Sequence, residues 1–94
     1  MPLNKMIELT QAKSFIKAYR KFVKKNPQLA KDLLAVLQRF RVDIHHPSLN
    51  TEKLKHSNIW SIRIDLKNRI FFVWVDDYAV LLIDVGPHDK YRQY

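Results

Sequence analysis

No cysteine occurs among the 94 residues. That excludes a disulfide scaffold, a thiol nucleophile and a cysteine-ligated zinc site, and it fits a cytoplasmic protein. Glycine occurs once, at Gly86, so no glycine-rich phosphate loop can be built. Long apolar runs are missing too. The longest, Ile70 to Val75 and Tyr78 to Ile83, fall far short of the ~20 residues that a membrane-spanning helix needs. No apolar stretch follows the first lysine, which predicts no signal peptide. Acidic residues are scarce early in the chain. Positions 1–41 hold ten Lys and Arg against only Glu8 and Asp32, whereas positions 42–94 hold seven of each sign. The entire net charge of +8 therefore sits on the N-terminal half.

What is present is enough to fold. With 47% hydrophobic and 12% aromatic residues, the chain is too apolar for intrinsic disorder and of a length that predicts a single domain over residues 1–94. The charge asymmetry points to a polyanionic partner: nucleic acid, a ribosome or an acidic protein. The same charge also reads as a solvated helix face that keeps the protein soluble.

The periodicity divides the chain into a helical half and a stranded half. Met6 to Leu9 predicts a short strand, and Thr10 is placed to cap a helix. Ala12, Phe15, Ile16, Tyr19, Phe22 and Val23 then recur at helical spacing, with Lys13, Lys17, Arg20, Lys21 and Lys24 on the opposite side. Asn26-Pro27 reads as a break and restart, with Pro27 at the first helical position. Leu29, Leu33, Leu34, Leu37 and Phe40 give a second stripe, and the two helices predict an antiparallel pair. Pro47 ends the second helix. Beyond it the period becomes two. Trp60, Ile62 and Ile64 alternate with Ser61, Arg63 and Asp65, which predicts a strand with one wet face. Ile70–Val75 and Tyr78–Ile83 follow as two strands, apolar on both faces and joined by Asp76-Asp77. Two helices cover only one face of such a sheet, so the other face predicts a partner or a terminal segment folded over it.

The residues able to do chemistry cluster late in the chain. Gly86-Pro87 fixes the exit from the last strand, and His88, Tyr91 and Arg92 follow within a few residues. Histidine moves protons near neutral pH, arginine clamps phosphate, and tyrosine stacks on a base or donates a hydrogen bond. Arg69 heads the middle strand, and Glu52, Lys53 and Lys55 precede the sheet. Cleavage of RNA by its own 2′-hydroxyl needs a base, a cation at the phosphate and an acid for the leaving 5′-oxygen. Glu52, Arg69 and His88 can fill those roles in that order. Each residue also has an ordinary reading: a surface carboxylate, a salt bridge to Asp65 or Asp84, and an exposed loop histidine. Arg63, Arg92, Lys53 and Lys55, with Lys17, Lys21 and Lys24 on the first helix, are candidate RNA contacts. No metal site is predicted, because His45 and His46 are adjacent and point apart and His56 lacks a carboxylate at ligand spacing. No cofactor is expected.

In order and spacing, FIKAYRKFVKKNPQL, HPSLNTEKLK, IWSIRID, NRIFFVW and LLIDVGPHDKYR together resemble the RelE/ParE superfamily of type II toxin–antitoxin toxins. The resemblance is to its RelE/StbE and YafQ-like branch and runs over nearly the whole chain. It implies an α+β fold: a short strand, two helices and three antiparallel strands. It implies ribosome-dependent, metal-free mRNA cleavage that blocks translation. It assigns catalytic positions to Arg69, His88 and the aromatic Tyr91, and a basic pair to Lys53 and Lys55. Two positions depart from the pattern. Many members of the branch carry histidine where this chain has Glu52, and aspartate in the turn where it has Lys67.

The implied partners are an acidic antitoxin, the ribosome with its mRNA, and operator DNA through the antitoxin complex, with no membrane. Two other functions stay open at this level. One is inhibition of DNA gyrase in the manner of ParE-type toxins. The other is a catalytically impaired member that only binds its antitoxin or nucleic acid.

Overall fold

The computed structural model describes residues 6–94. Strand β1 (Glu8–Gln11) leads into helices α1 (Lys13–Lys25) and α2 (Gln28–Val42), and a single 3-10 turn follows at Pro47–Leu49. Strands β2 (Glu52–Lys53), β3 (Trp60–Arg63), β4 (Asn68–Asp76) and β5 (Ala79–Pro87) come next, and a 3-10 tail helix covers His88–Gln93. The strands make one five-stranded sheet in the order β1-β5-β4-β3-β2. β1 runs parallel to β5, and the other neighbours are antiparallel. The α+β architecture is the expected one, with the two-residue β2 added as an edge strand. Among the described residues no helix is long and apolar enough to cross a membrane.

Several boundaries differ from the sequence expectation for identifiable reasons. Thr10 does not cap α1. It lies in β1 opposite Leu81, and the ladder with β5 extends through Gln11. The backbone N–H of Ala12 then donates to the Leu82 carbonyl (2.9 Å), and the Ser14 hydroxyl donates to the Ile83 carbonyl (2.6 Å). Strand pairing thus takes the groups that a cap would have used, and the helix starts three residues later than Thr10. At the other break, Asn26 Oδ1 accepts from the Gln28 N–H (3.1 Å), and Pro27 sits just before the first helical residue. The hairpin loop is Asp77-Tyr78, one residue on from the expected pair. Asp76 still pairs with Ala79, and its carboxylate accepts the Tyr78 N–H (2.8 Å).

The core lies between the helices and one face of the sheet. Phe15, Leu33, Val36, Leu37 and Phe40 pack on Ile62, Ile70, Phe72, Val80, Leu82 and Val85. Phe40 sits against Phe72 with ring centres 5.1 Å apart. Burial of each such side chain stabilises by roughly 1.5–3 kcal/mol, which fixes the sheet as a rigid platform.

The opposite face of β3, β4 and β5 is closed at its middle. Ser61, Phe71 and Asp84 face one another in register across the three strands, and all three are buried. The tail folds over Phe71 and Asp84, with the Tyr94 ring 5.8 Å from Phe71 and the Tyr94 hydroxyl on Asp84. The expected wet face of β3 is therefore corrected at Ser61, which is buried and accepts a hydrogen bond from Arg69. Of the two expectations for this face, a terminal segment folded over it is the one seen at Phe71, which the chain covers with its own tail.

Candidate active site

Two segments distant in sequence form one open cleft of about 550 Å³. One wall is Glu52, Lys53, Leu54 and Lys55; the other is His88, Tyr91, Arg92 and Tyr94. β2 holds the first wall by pairing Glu52 with Ser61 and Lys53 with Trp60. Register carries the second wall into place. Arg69 faces Gly86 and Asn68 faces Pro87, so the chain leaves β5 beside the turn that precedes β4. There the His88 N–H donates to the Lys67 carbonyl (2.6 Å). Residues i and i+3 of a 3-10 helix eclipse one another, which sets the His88 and Tyr91 rings 5.5 Å apart. The Arg92 guanidinium lies 5.9 Å from the Tyr91 ring centre.

Six residues nominated from the sequence (Glu52, Lys53, Lys55, His88, Tyr91 and Arg92) thus share one cleft. Arg69 does not line it. It is only 6% exposed and lies beneath Glu52. Its Nη1 donates to Ser61 Oγ (3.0 Å) and to the Asn50 carbonyl (3.2 Å), and its Nη2 is 3.6 Å from Glu52 Oε1. The salt-bridge partner is therefore Glu52, in place of Asp65 or Asp84. Burial pulls the Arg69 pKa down; the Glu52 charge opposes that shift, and the Arg63 charge adds to it. Glu52 Oε1 also accepts from the Asn50 side-chain amide (3.3 Å). Arg63 faces Arg69 in register, and its Nε is buried without a hydrogen-bond partner.

The basic face of α1 is a separate feature. Lys17, Lys21 and Lys24 are exposed on the helix, and none lines the cleft. Lys21 instead borders a hollow of about 300 Å³ with Lys25, Pro87 and Lys90. Among the described residues no group of three or more His, Asp or Glu side chains gathers at metal-binding range.

Sequence reasoning missed Asn50 and Ser61, the partners that fix Arg69, and it missed Asp84. Asp84 is buried in β5, and its Oδ1 accepts from Lys90 Nζ (2.7 Å) and from the Val85 N–H (2.8 Å). Its Oδ2 accepts from the Tyr94 hydroxyl (2.5 Å). A carboxylate inside the apolar run LLIDVG signals such a site, because a buried charge demands partners.

Comparison with solved structures gives the fold a precedent. The YoeB/ParE toxin from Agrobacterium tumefaciens superposes with a TM-score of 0.71 at 15% identity, over 87% of this chain and 99% of its own. A chain of the E. coli DinJ–YafQ toxin–antitoxin complex gives 0.72 at 10% identity, over 90% and 96%. A chain of the heterotetrameric YoeB–YefM toxin–antitoxin complex from Staphylococcus aureus gives 0.67 at 21%, over 87% and 97%. No protein-family model and no curated protein sequence matches the chain. The strand, the helix pair and the antiparallel strands that follow thus share the fold of YoeB/ParE and YafQ toxins, the RelE-like fold that the sequence motifs resemble.

Proposed function

We propose that this protein is the toxin of a type II toxin–antitoxin pair and cleaves mRNA on the ribosome by metal-free acid–base chemistry. One observation carries the reading. A single cleft sets a carboxylate and two lysines (Glu52, Lys53 and Lys55) across from a histidine, a tyrosine and an arginine (His88, Tyr91 and Arg92). Glu52 takes the proton of the 2′-hydroxyl, and the freed oxygen attacks the adjacent phosphorus. His88 gives a proton to the departing 5′-oxygen, leaving a 2′,3′-cyclic phosphate and a 5′-hydroxyl. Lys53, Lys55 and Arg92 supply positive charge where the phosphorane gathers negative charge. Arg69 acts from below by holding Glu52, and Tyr91 offers a ring on which a base stacks.

A carboxylate is a modest base at neutral pH, so positioning of the mRNA by the ribosome supplies much of the acceleration. The basic face of α1 serves that docking by meeting ribosomal RNA. A net charge of +8 suits an acidic antitoxin, and solved neighbours are toxin–antitoxin complexes. Operator DNA is reached through that complex, and the protein acts in the cytoplasm. A second reading has one observation in its favour: the burial of Arg69 beneath Glu52 keeps the nominated phosphate clamp out of the cleft. That suits a member that binds its antitoxin or nucleic acid without cutting.

The deciding experiment places a defined codon in the ribosomal A site and maps cuts by primer extension, with free mRNA alongside. Cleavage only on ribosomes, lost in His88→Ala, is expected. No cleavage in either tube removes the nuclease reading, and a gyrase assay and a partner search then follow.

A further inference from the structure

The tail helix carries one wall of the cleft but buries no residue of its own. Something else must hold it. The described contacts tie it at three points: the His88 N–H to Lys67, Lys90 to Asp84, and Tyr94 to Asp84 and Phe71. The last two meet on one carboxylate. Asp84 is 7% exposed, in the central part of β5 and directly opposite Phe71. Burying it is costly unless it is fully bonded, and Lys90, Tyr94 and the Val85 N–H supply that bonding. Gly86 makes the arrangement possible, since a β-carbon there would fall 2.8 Å from Lys90 Cδ. The lysine stem crosses the strand where no side chain stands. Tyr94 also lines the cleft, yet its hydroxyl is committed to Asp84. Burial first, and then the bond to Asp84 and the carboxylate charge, push its pKa well above the usual phenol value. It therefore stays a donor through the physiological range.

We infer that Asp84 and Tyr94 are positioning residues that clamp the tail to the sheet and thereby fix His88 and Tyr91 in the cleft. The effect on catalysis rests on the nuclease reading above; the clamp itself does not. It also divides the two tail tyrosines. Tyr91 faces the substrate space, whereas Tyr94 holds the wall in place.

Two variants of the full chain test this. Tyr94→Phe keeps the ring on Phe71 and removes only the hydroxyl. Asp84→Asn removes the charge that holds Lys90. Limited trypsin digestion reports tail release by cutting after Lys90 and Arg92, and both variants are expected to be cut roughly tenfold faster than wild type. The unfolding midpoint followed by tryptophan fluorescence is expected to drop only slightly in Tyr94→Phe, because the ring stays on Phe71 and Lys90 and the Val85 N–H still bond Asp84. On ribosome-bound mRNA, Tyr94→Phe is expected to lose about tenfold in kcat with KM for the ribosome held within about twofold. A merely structural defect would instead lower the fraction of active protein and the midpoint together. Wild-type trypsin rates in both variants overturn the clamp. A released tail with unchanged kcat overturns the positioning role. If wild type cleaves no mRNA, the nuclease reading fails, and the trypsin rates still decide whether Asp84 and Tyr94 hold the tail.

Discussion

Arg69 lies directly beneath Glu52, with 3.6 Å between Nη2 and Oε1, so the carboxylate stands between the guanidinium and the solvent. The same guanidinium reaches Ser61 on β3 and the backbone of Asn50. One side chain on β4 therefore joins three segments that must stay together for β2 to form a wall of the cleft. Replacement of Arg69 by alanine strands the Ser61 hydroxyl, the Asn50 carbonyl and Glu52. It is expected to cost about 2 kcal/mol or more of folding stability in addition to activity. Arg69→Lys keeps the charge without the fork and is expected to recover little. Urea unfolding of both variants measures this, and a wild-type midpoint for Arg69→Ala would falsify the joining role.

His88 presents the opposite case. It is exposed at the cleft, so His88→Ala is expected to leave the unfolding free energy within about 0.5 kcal/mol of wild type. Cleavage of ribosome-bound mRNA is expected to fall by ~10²-fold or more with ribosome binding nearly intact. Co-sedimentation with ribosomes beside a single-turnover cleavage assay separates the two effects.

Reversal of Lys17, Lys21 and Lys24 to glutamate is expected to act on the proposed docking alone, because these lysines stand on α1 away from the cleft. Ribosome affinity is expected to fall and its dependence on salt to flatten, since fewer counterions are released on binding. Affinity measured across a salt series reads this. An unchanged slope would reduce the basic face to solubility charge.

The turn ahead of Arg69 carries a pH signature. Burial works to raise the pKa of Asp65, but the N–H groups of Lys67 and Asn68 and the Asn68 amide outweigh it and hold the pKa below its ordinary 3.8. The folded value is thus depressed. The stabilisation is complete above the unfolded pKa and is lost as pH falls through the folded one. Asp65→Ala is expected to be clearly less stable than wild type at neutral pH, with the gap closing as the solution is acidified below 3.8. Thermal melts of the pair from neutral to strongly acid pH follow that convergence.

The sequence made the frame legible where a single local signal decided it. The apolar face of α1, the Asn26-Pro27 break and the paired runs ending in β5 all follow from periodicity and turn chemistry. The chemistry of the residue types grouped Glu52 with His88, and the resemblance added the basic pair Lys53 and Lys55; the cleft holds all four. What the sequence hid depends on contacts far apart in the chain. Thr10 reads as a cap until β5 is present to pair with it. Ser61 reads as wet until Arg69 reaches it from β4. Arg69 reads as an open phosphate clamp, because nothing in the local pattern reveals that Asn50, Ser61 and Glu52 converge on it. Asp84 is the exception. A lone carboxylate between Ile83 and Val85 is a visible anomaly, and its partners lie only six and ten residues away.

The parallel pairing of β1 with β5 has a consequence for how the protein comes into being. Glu8 finds its partner only at Ala79, and β5 lies between β1 and β4 in the sheet. The strand that closes the sheet is thus made after all the others, followed at once by the tail that carries His88. During synthesis the cleft cannot assemble piecemeal. A nascent chain shorter than this has an unpaired first strand, no anchor for the start of α1, and half a cleft. The two walls of the cleft therefore meet only once β5 and the tail that follows it have been added.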